Sequence, residues 1–181
     1  MKCPSRLREE QEALASPSQV RQRPRFMETL KLDSPQGAGW RRINQTPAGY
    51  GRTMPPIFAR KTERGAECWV LPDESSSNYQ GLVHGAFLAS LGEQVLFLPL
   101  ALHERLGAGG GTLTVDFAMQ YLAGAALGVP LVGEVECIRE TGRLAFIRGT
   151  LRQDDEAVMG FTATLRKLKS RTPPGAISEN G

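Results

Sequence analysis

Cysteine is scarce in this chain. Cys3, Cys68 and Cys137 are odd in number, far apart and without a CxxC pair. That argues against a disulfide framework or a zinc site and suits a reducing compartment, so a cytoplasmic location is expected. Histidine is scarcer still, with His84 and His103 the whole complement. Two are too few for most metal sites, and neither a metal nor a resident cofactor is expected. Long apolar runs are missing too. The longest, over residues 82–102, is interrupted by His84, Glu93 and Pro99, so no membrane span is expected. The N-terminus has no apolar secretory stretch, and Glu9 and Glu10 count against a transit peptide. The net charge of +3 is concentrated in residues 1–25, which carry Lys2, Arg6, Arg8, Arg21, Arg23 and Arg25. A basic tail says little about the folded part, so no nucleic-acid partner is expected.

What is present suits a single domain, since 181 residues can bury a real core. Residues 1–25 read as a flexible basic tail, with a short helix over 5–15 at most. A folded domain is expected over 26–169 and a second flexible tail over 170–181. Residues 26–32 suggest a short helix, followed by an ordered loop broken by prolines and glycines up to 53. Residues 57–61 and 66–71 read as a hairpin turned at Glu63-Arg64-Gly65, and 72–77 as a polar loop. Phe87, Leu88, Leu91, Val95 and Leu98 recur at helical spacing, predicting a helix from near His84 that Pro99 strains or ends. Residues 107–111 form a glycine-rich link without the Lys-Ser/Thr ending of a phosphate loop.

Four strand-like runs follow, over 112–122, 130–140, 143–153 and 157–169. The first alternates: Leu113, Val115, Phe117, Met119 and Tyr121 on one face, Thr112, Thr114, Asp116, Ala118 and Gln120 on the other. Such a strand suits pairing with a partner. Two strands, a long helix and a meander of four strands predict an α+β fold, with the helix on one face of a mostly antiparallel sheet.

The stretch Asn78-Tyr79-Gln80-Gly81-Leu82-Val83-His84-Gly85-Ala86, with Glu93 two turns into the following helix, holds the parts needed to attack a carbonyl. Asn78 can orient a substrate or water, or simply form a turn. A helix start at Gly85 offers a free backbone N–H to a developing oxyanion. Glu93 has Ala89, Ser90, Leu96 and Phe97 as helical neighbours, which is not a polar face. A carboxylate walled by such residues can act as base or nucleophile.

This order of elements, with Asn78…Gly81…His84-Gly85…Glu93 and the downstream Thr114-Val115-Asp116-Phe117, resembles the hotdog-fold acyl-CoA thioesterases, most of all the phenylacetic-acid-pathway group. The resemblance covers about residues 50–168. It departs at Ala86, where the family usually has glycine, and at Glu93, where the group often has Asp. It implies a curled antiparallel sheet wrapped around a central helix, in protomers that join sheets edge to edge as a homodimer or homotetramer. It also implies hydrolysis of acyl-CoA to free acid and coenzyme A, the coenzyme being part of the substrate. In that scheme the Gly85 N–H polarises the carbonyl, and Glu93 of the facing protomer attacks it or deprotonates water. Asn78 and Thr114 position the reactants, Thr114 holding the attacking water near the Glu93 of the neighbouring protomer. His84 serves helix entry or touches substrate directly.

Other readings are weaker. Ala89-Ser90-Leu91-Gly92 lacks the first glycine of a nucleophile elbow and lies inside a helix. Arg139, Arg143, Arg148 and Arg152 offer charges to coenzyme phosphates, but charged strand residues usually form a solvated face. The alternatives to a thioesterase are a non-catalytic acyl-CoA sensor of the same fold and a hydratase, which wants a paired acid and histidine that this spacing does not supply.

Overall fold

A computed structural model describes residues 34–45, 49–106 and 111–168, all within one compact unit, Asp33–Gly181. The tails and the helices expected over 5–15 and 26–32 lie outside the described residues, as does most of the 107–111 link.

Seven strands form one antiparallel sheet: β1 (Arg41–Arg42), β2 (Ile57–Lys61), β3 (Gly65–Val70), β4 (Thr112–Tyr121), β5 (Leu131–Glu140), β6 (Leu144–Gln153) and β7 (Glu156–Lys167). Their spatial order is β1-β2-β3-β5-β6-β7-β4. Between β3 and β4 come helix α1 (Gly85–Val95) and a short α2 (Leu98–Ala101). The chain thus leaves the sheet after β3, crosses it as helix and returns as the far edge strand. That crossing puts α1 inside the curl of the sheet, which is the hotdog arrangement and the expected α+β class.

The helix buries Leu88, Leu91, Gly92 and Val95, spaced three and four apart as one face must be. Gly92 is the point of closest approach. A Cβ there would lie 2.8 Å from Met159 Cε and 3.0 Å from Phe117 Cζ. Phe117 in turn packs edge-on against Phe161, their centroids 5.8 Å apart. The Phe161 ring occupies the space over Gly149, where a Cβ would lie 2.1 Å from its Cζ. Small residues at both ends of this stack therefore set how deep α1 sits. Gly149→Ala should overpack it, costing about 1–3 kcal/mol of stability. A thermal melt reads this directly, and an unchanged midpoint would show that the stack does not seat the helix.

Three sequence expectations need correction. Pro99 does not strain α1, which ends at Val95; it occupies the first turn of α2, where its missing N–H is not needed. Residues Arg41–Arg42, expected in a loop, pair with β2. They are held there by buried Asn44, whose amide donates to Gly51 O and Pro55 O and accepts from Ile57 N. The third correction is the alternation of β4. Thr114 faces Leu165, but Asp116 faces Thr164, so Val115 is an extra residue in the ladder. A bulge of this kind reverses which face each side chain takes. Thr114 therefore shares the core-side face with Phe117, Met119 and Tyr121, whose cross-strand partners Ala163, Phe161 and Met159 are buried. Leu113 and Val115 are left 51% and 62% exposed.

Candidate active site

The segment before α1 is a tightly closed loop. The Asn78 carboxamide oxygen accepts from Gln80 N at 2.8 Å and Leu82 N at 3.1 Å, while Asn78 N donates to Leu82 O. Gly81 has φ +74, a conformation glycine alone adopts without strain. Asn78 is thus a loop organiser through its oxygen, with its amide nitrogen still able to donate. The loop is tied to the rest of the fold by Val83 N donating to Ala125 O. Ala126 is itself clasped by Gln153, which accepts from its N–H and donates to its carbonyl.

His84 is the N-cap of α1. Its Nδ1 accepts from Ala86 N at 2.9 Å, and its own N–H donates to Ser76 O. This is the structural half of the sequence reading: the ring is exposed but its Nδ1 is engaged in starting the helix. Phe87 N and Leu88 N both donate to His84 O. Of the four first-turn amides, Ala86, Phe87 and Leu88 thus have partners, and the Gly85 N–H has none among the described residues. It is a donor aimed out of a helix N-terminus with nothing to bond.

Two side chains that the sequence reading did not single out flank the helix. The Tyr121 hydroxyl donates to the Gly85 carbonyl at 3.0 Å, and its ring lies 3.4 Å from where a Gly85 Cβ would be. The Tyr50 hydroxyl and Ser90 Oγ are 2.9 Å apart. These contacts join residues 36 and 40 positions apart, so no local pattern could have disclosed them.

Glu93 lies on the exposed side of α1 within the single chain, and is not walled in as its neighbours suggested. Those neighbours do bear out a non-polar setting: Leu96 is buried, and Ala89, Ser90 and Phe97 are half-buried. Glu93 makes no ion pair among the described residues. Its partner is the Thr114 hydroxyl, which donates to Oε1 at 3.0 Å. Within one chain Thr114 therefore bonds its own Glu93 directly. The β4 bulge is the reason, since without it Thr114 would point away from the helix.

Gly85 and Glu93 do not converge within one chain. Eight residues of α-helix separate them by about 12 Å along the axis and roughly 80° around it. One thioester carbonyl cannot receive both.

Other chemistry is disfavoured. Burial pushes the Cys68 thiol up to about 12 and also raises Cys137, the opposite of an activated thiolate. Ser90 sits mid-helix against Tyr50. Of the four strand arginines, Arg148 pairs with Glu136 and Arg152 donates to Asp155 O, as a solvated strand face would. No group of three or more His, Cys, Asp or Glu fit to hold a metal occurs among the described residues, and no described helix is long and apolar enough to cross a membrane. A surface hollow of about 650 Å³ is lined by Thr62, Arg64, Glu67, Glu134, Glu136 and Arg148 and includes none of the expected site residues.

The Thioesterase superfamily model matches residues 80–159, the span from the Asn78 loop to β7. No curated protein matches the chain. Among solved structures, thioesterase superfamily member 2 of zebra fish superposes with a TM-score of 0.60 at 20% identity, over 68% of this chain and 89% of its own. A phenylacetic acid degradation-related protein of Ralstonia eutropha gives 0.55 at 22% identity, over 60% and 82%. A hypothetical thioesterase of Streptococcus pneumoniae, solved with coenzyme A, gives 0.55 at 21%, over 64% and 91%. The chain thus has the hotdog fold of these structures, and residues 80–159, from the loop before α1 into β7, match the Thioesterase superfamily model.

Proposed function

We propose that this protein hydrolyses acyl-CoA thioesters to the free acid and coenzyme A, at sites completed by two copies of the chain. The observation that carries this is the unpaired Gly85 N–H at the start of α1, with the Thr114-held Glu93 eight residues on. Each is half of a thioester-cleaving centre, and each lies out of reach of the other. Two copies with antiparallel helices would bring the Gly85 of one to the Glu93 of the other, twice over. The coenzyme A held by the pneumococcal neighbour supports a CoA ester as the substrate.

A thioester carbonyl has little resonance stabilisation, so modest polarisation is enough. Its oxygen accepts from the Gly85 N–H, which has no other bond to give up and so meets charge as it develops. Glu93 then either takes the proton of an attacking water or attacks the carbonyl carbon itself. Thr114 fixes the carboxylate through Oε1 and leaves Oε2 for the chemistry. The tetrahedral intermediate collapses by breaking the C–S bond. On the general-base route the coenzyme thiolate leaves with the proton that Glu93 took from water; on the nucleophilic route it leaves from a mixed anhydride of Glu93, which water then hydrolyses, giving the free acid, a proton for the thiolate and the restored carboxylate. Asn78, through its amide N–H, holds the substrate or the water. No metal or redox cofactor is needed for these steps.

A hydratase is less well served, because His84 commits Nδ1 to Ala86 at the opposite end of the helix from Glu93. A non-catalytic acyl-CoA sensor would bind without releasing thiol. A panel of acyl-CoAs assayed with a thiol reagent separates these readings: steady release of coenzyme A is expected, and tight binding without release would replace the enzyme by the sensor.

The second copy is also testable. β4 ends the strand order with its outer edge unpaired among the described residues, ten residues long and with Leu113 and Val115 exposed. Long bare edges of this sort are normally covered or paired, and a symmetric pair of β4 strands does so with one surface. Sedimentation at micromolar concentration should show a dimer or a dimer of dimers. A fully active monomer would sink the two-copy site.

A further inference from the structure

The Gly85 turn has a neighbour whose place is set by the edge strand. Tyr121 is the last residue of β4, on the core-side face opposite Met159. Its hydroxyl donates to the Gly85 carbonyl at 3.0 Å, and two ring atoms lie 3.4 and 3.5 Å, and the hydroxyl oxygen 3.6 Å, from the position a Gly85 Cβ would take. In a helix the N–H of a residue points out of the N-terminus and its carbonyl points the other way. The phenol therefore bonds the carbonyl of Gly85 and stands beside the residue without using its N–H. Tyr121 is still 55% exposed, so its hydroxyl end is held at the helix while much of the side chain stays open.

We propose that Tyr121 determines which acyl groups the site accepts, as a fixed wall beside the carbonyl. This rests on the thioesterase reading above. A carbonyl oxygen held about 2.9 Å from the Gly85 nitrogen brings the first acyl carbons alongside Gly85, within reach of the ring. A ring free to rotate would yield to a branch at those carbons. This ring is tethered by its hydroxyl to the first turn of α1, so it does not. The wall admits straight acyl chains and resists branching at the carbon next to the thioester. The hydroxyl acts through Gly85 and is a positioning group; the ring is the selecting one.

The test uses the full chain and two acyl-CoAs of equal carbon number, one straight and one α-branched, at the length the wild type turns over fastest. Equal carbon number keeps apolar transfer nearly equal, so the ratio of kcat/KM reads shape. Wild type should prefer the straight chain. Tyr121→Ala should cut that preference about tenfold or more, within the range that one methyl-sized difference in a pocket can supply. Tyr121→Phe keeps the ring and the fold but frees the tip, so the preference should fall by about two- to fivefold. Inhibition by free coenzyme A should be unchanged in both. If Tyr121 only stabilised the helix start, both substrates would slow in proportion and the ratio would not move. An active wild type without the preference, or ratios unchanged within twofold in both variants, overturns the wall and leaves the thioesterase reading standing. A wild type that hydrolyses no acyl-CoA removes both.

Discussion

Glu93→Gln is expected to lower acyl-CoA turnover by roughly two to four orders of magnitude, the range for losing a general base. The substitution keeps the shape. A glutamine Oε1 can still accept from the Thr114 hydroxyl, so the side chain stays where Glu93 is. Glu93 is exposed in the chain and takes part in no ion pair among the described residues, so no buried partner is orphaned by removing its charge. The melting midpoint should move little, as for surface substitutions generally. Binding of substrate should survive, because the donors and the Tyr121 ring are untouched. Glu93→Asp sets the carboxylate back by about one carbon–carbon bond and should keep part of the activity. The measurement is thiol release with the best acyl-CoA found, beside a melt and a binding titration. Wild-type turnover in Glu93→Gln would remove Glu93 from the mechanism. A collapse of the fold would show instead that the carboxylate supports structure, which its exposure argues against.

The strands of the meander were legible because their alternation and turns are local. Residues 130–140, 143–153 and 157–169 were read within three residues of β5, β6 and β7 at every end. The start of α1 was legible for the same reason: His84 and the apolar period after it act over one or two turns. What was not legible depends on distant partners. Nothing in residues 112–122 marks Val115 as an extra residue, because the bulge exists only against β7. That one insertion sends Thr114 to the helix side, whereas strict alternation puts it on the face opposite Phe117, Met119 and Tyr121. β1 is two residues long and owes its pairing to Asn44, which reaches forward to Gly51, Pro55 and Ile57. Pro99 was read by its usual effect inside a helix; only the break after Val95 gives it a harmless place at the start of α2.

The candidate site divides along the same line. The Asn78 loop and the His84 cap are made of contacts a few residues apart, and their residues could be picked out by type and spacing. Tyr121 and Tyr50 come from other elements and were read only as strand and loop residues. Glu93 shows the reverse case. Its helical neighbours are as apolar as the sequence suggested, but the helix face it occupies has no cover in one chain. Its environment belongs to the proposed second copy, and one sequence does not contain that geometry.

Gly85→Pro should lower turnover by about 10²–10³-fold while leaving the protein folded. The reasoning is local. Gly85 is the first residue of α1, the position where proline is most at home in a helix, since its N–H has no helical partner there. The residue before a proline must avoid the helical region, and His84 already sits at φ −68, ψ 136. The cap survives, because His84 Nδ1 accepts from Ala86 and not from Gly85. The fit against Tyr121 is close but permitted, a Cβ meeting the ring at 3.4 Å. What the substitution deletes is one N–H that bonds to nothing in the described structure. Losing a single donor to a developing oxyanion costs about 3–4 kcal/mol of transition-state stabilisation, which is the expected fall in rate. Gly85→Ala is the control: it adds the same Cβ beside Tyr121 but keeps the N–H, so it should lose far less. The KM for acyl-CoA should change little in either variant, because the donor matters most as charge develops. Equal losses in the proline and alanine variants would assign the effect to crowding at Tyr121. Full turnover in Gly85→Pro would mean that the free amide at the head of α1 does not touch the reacting carbonyl.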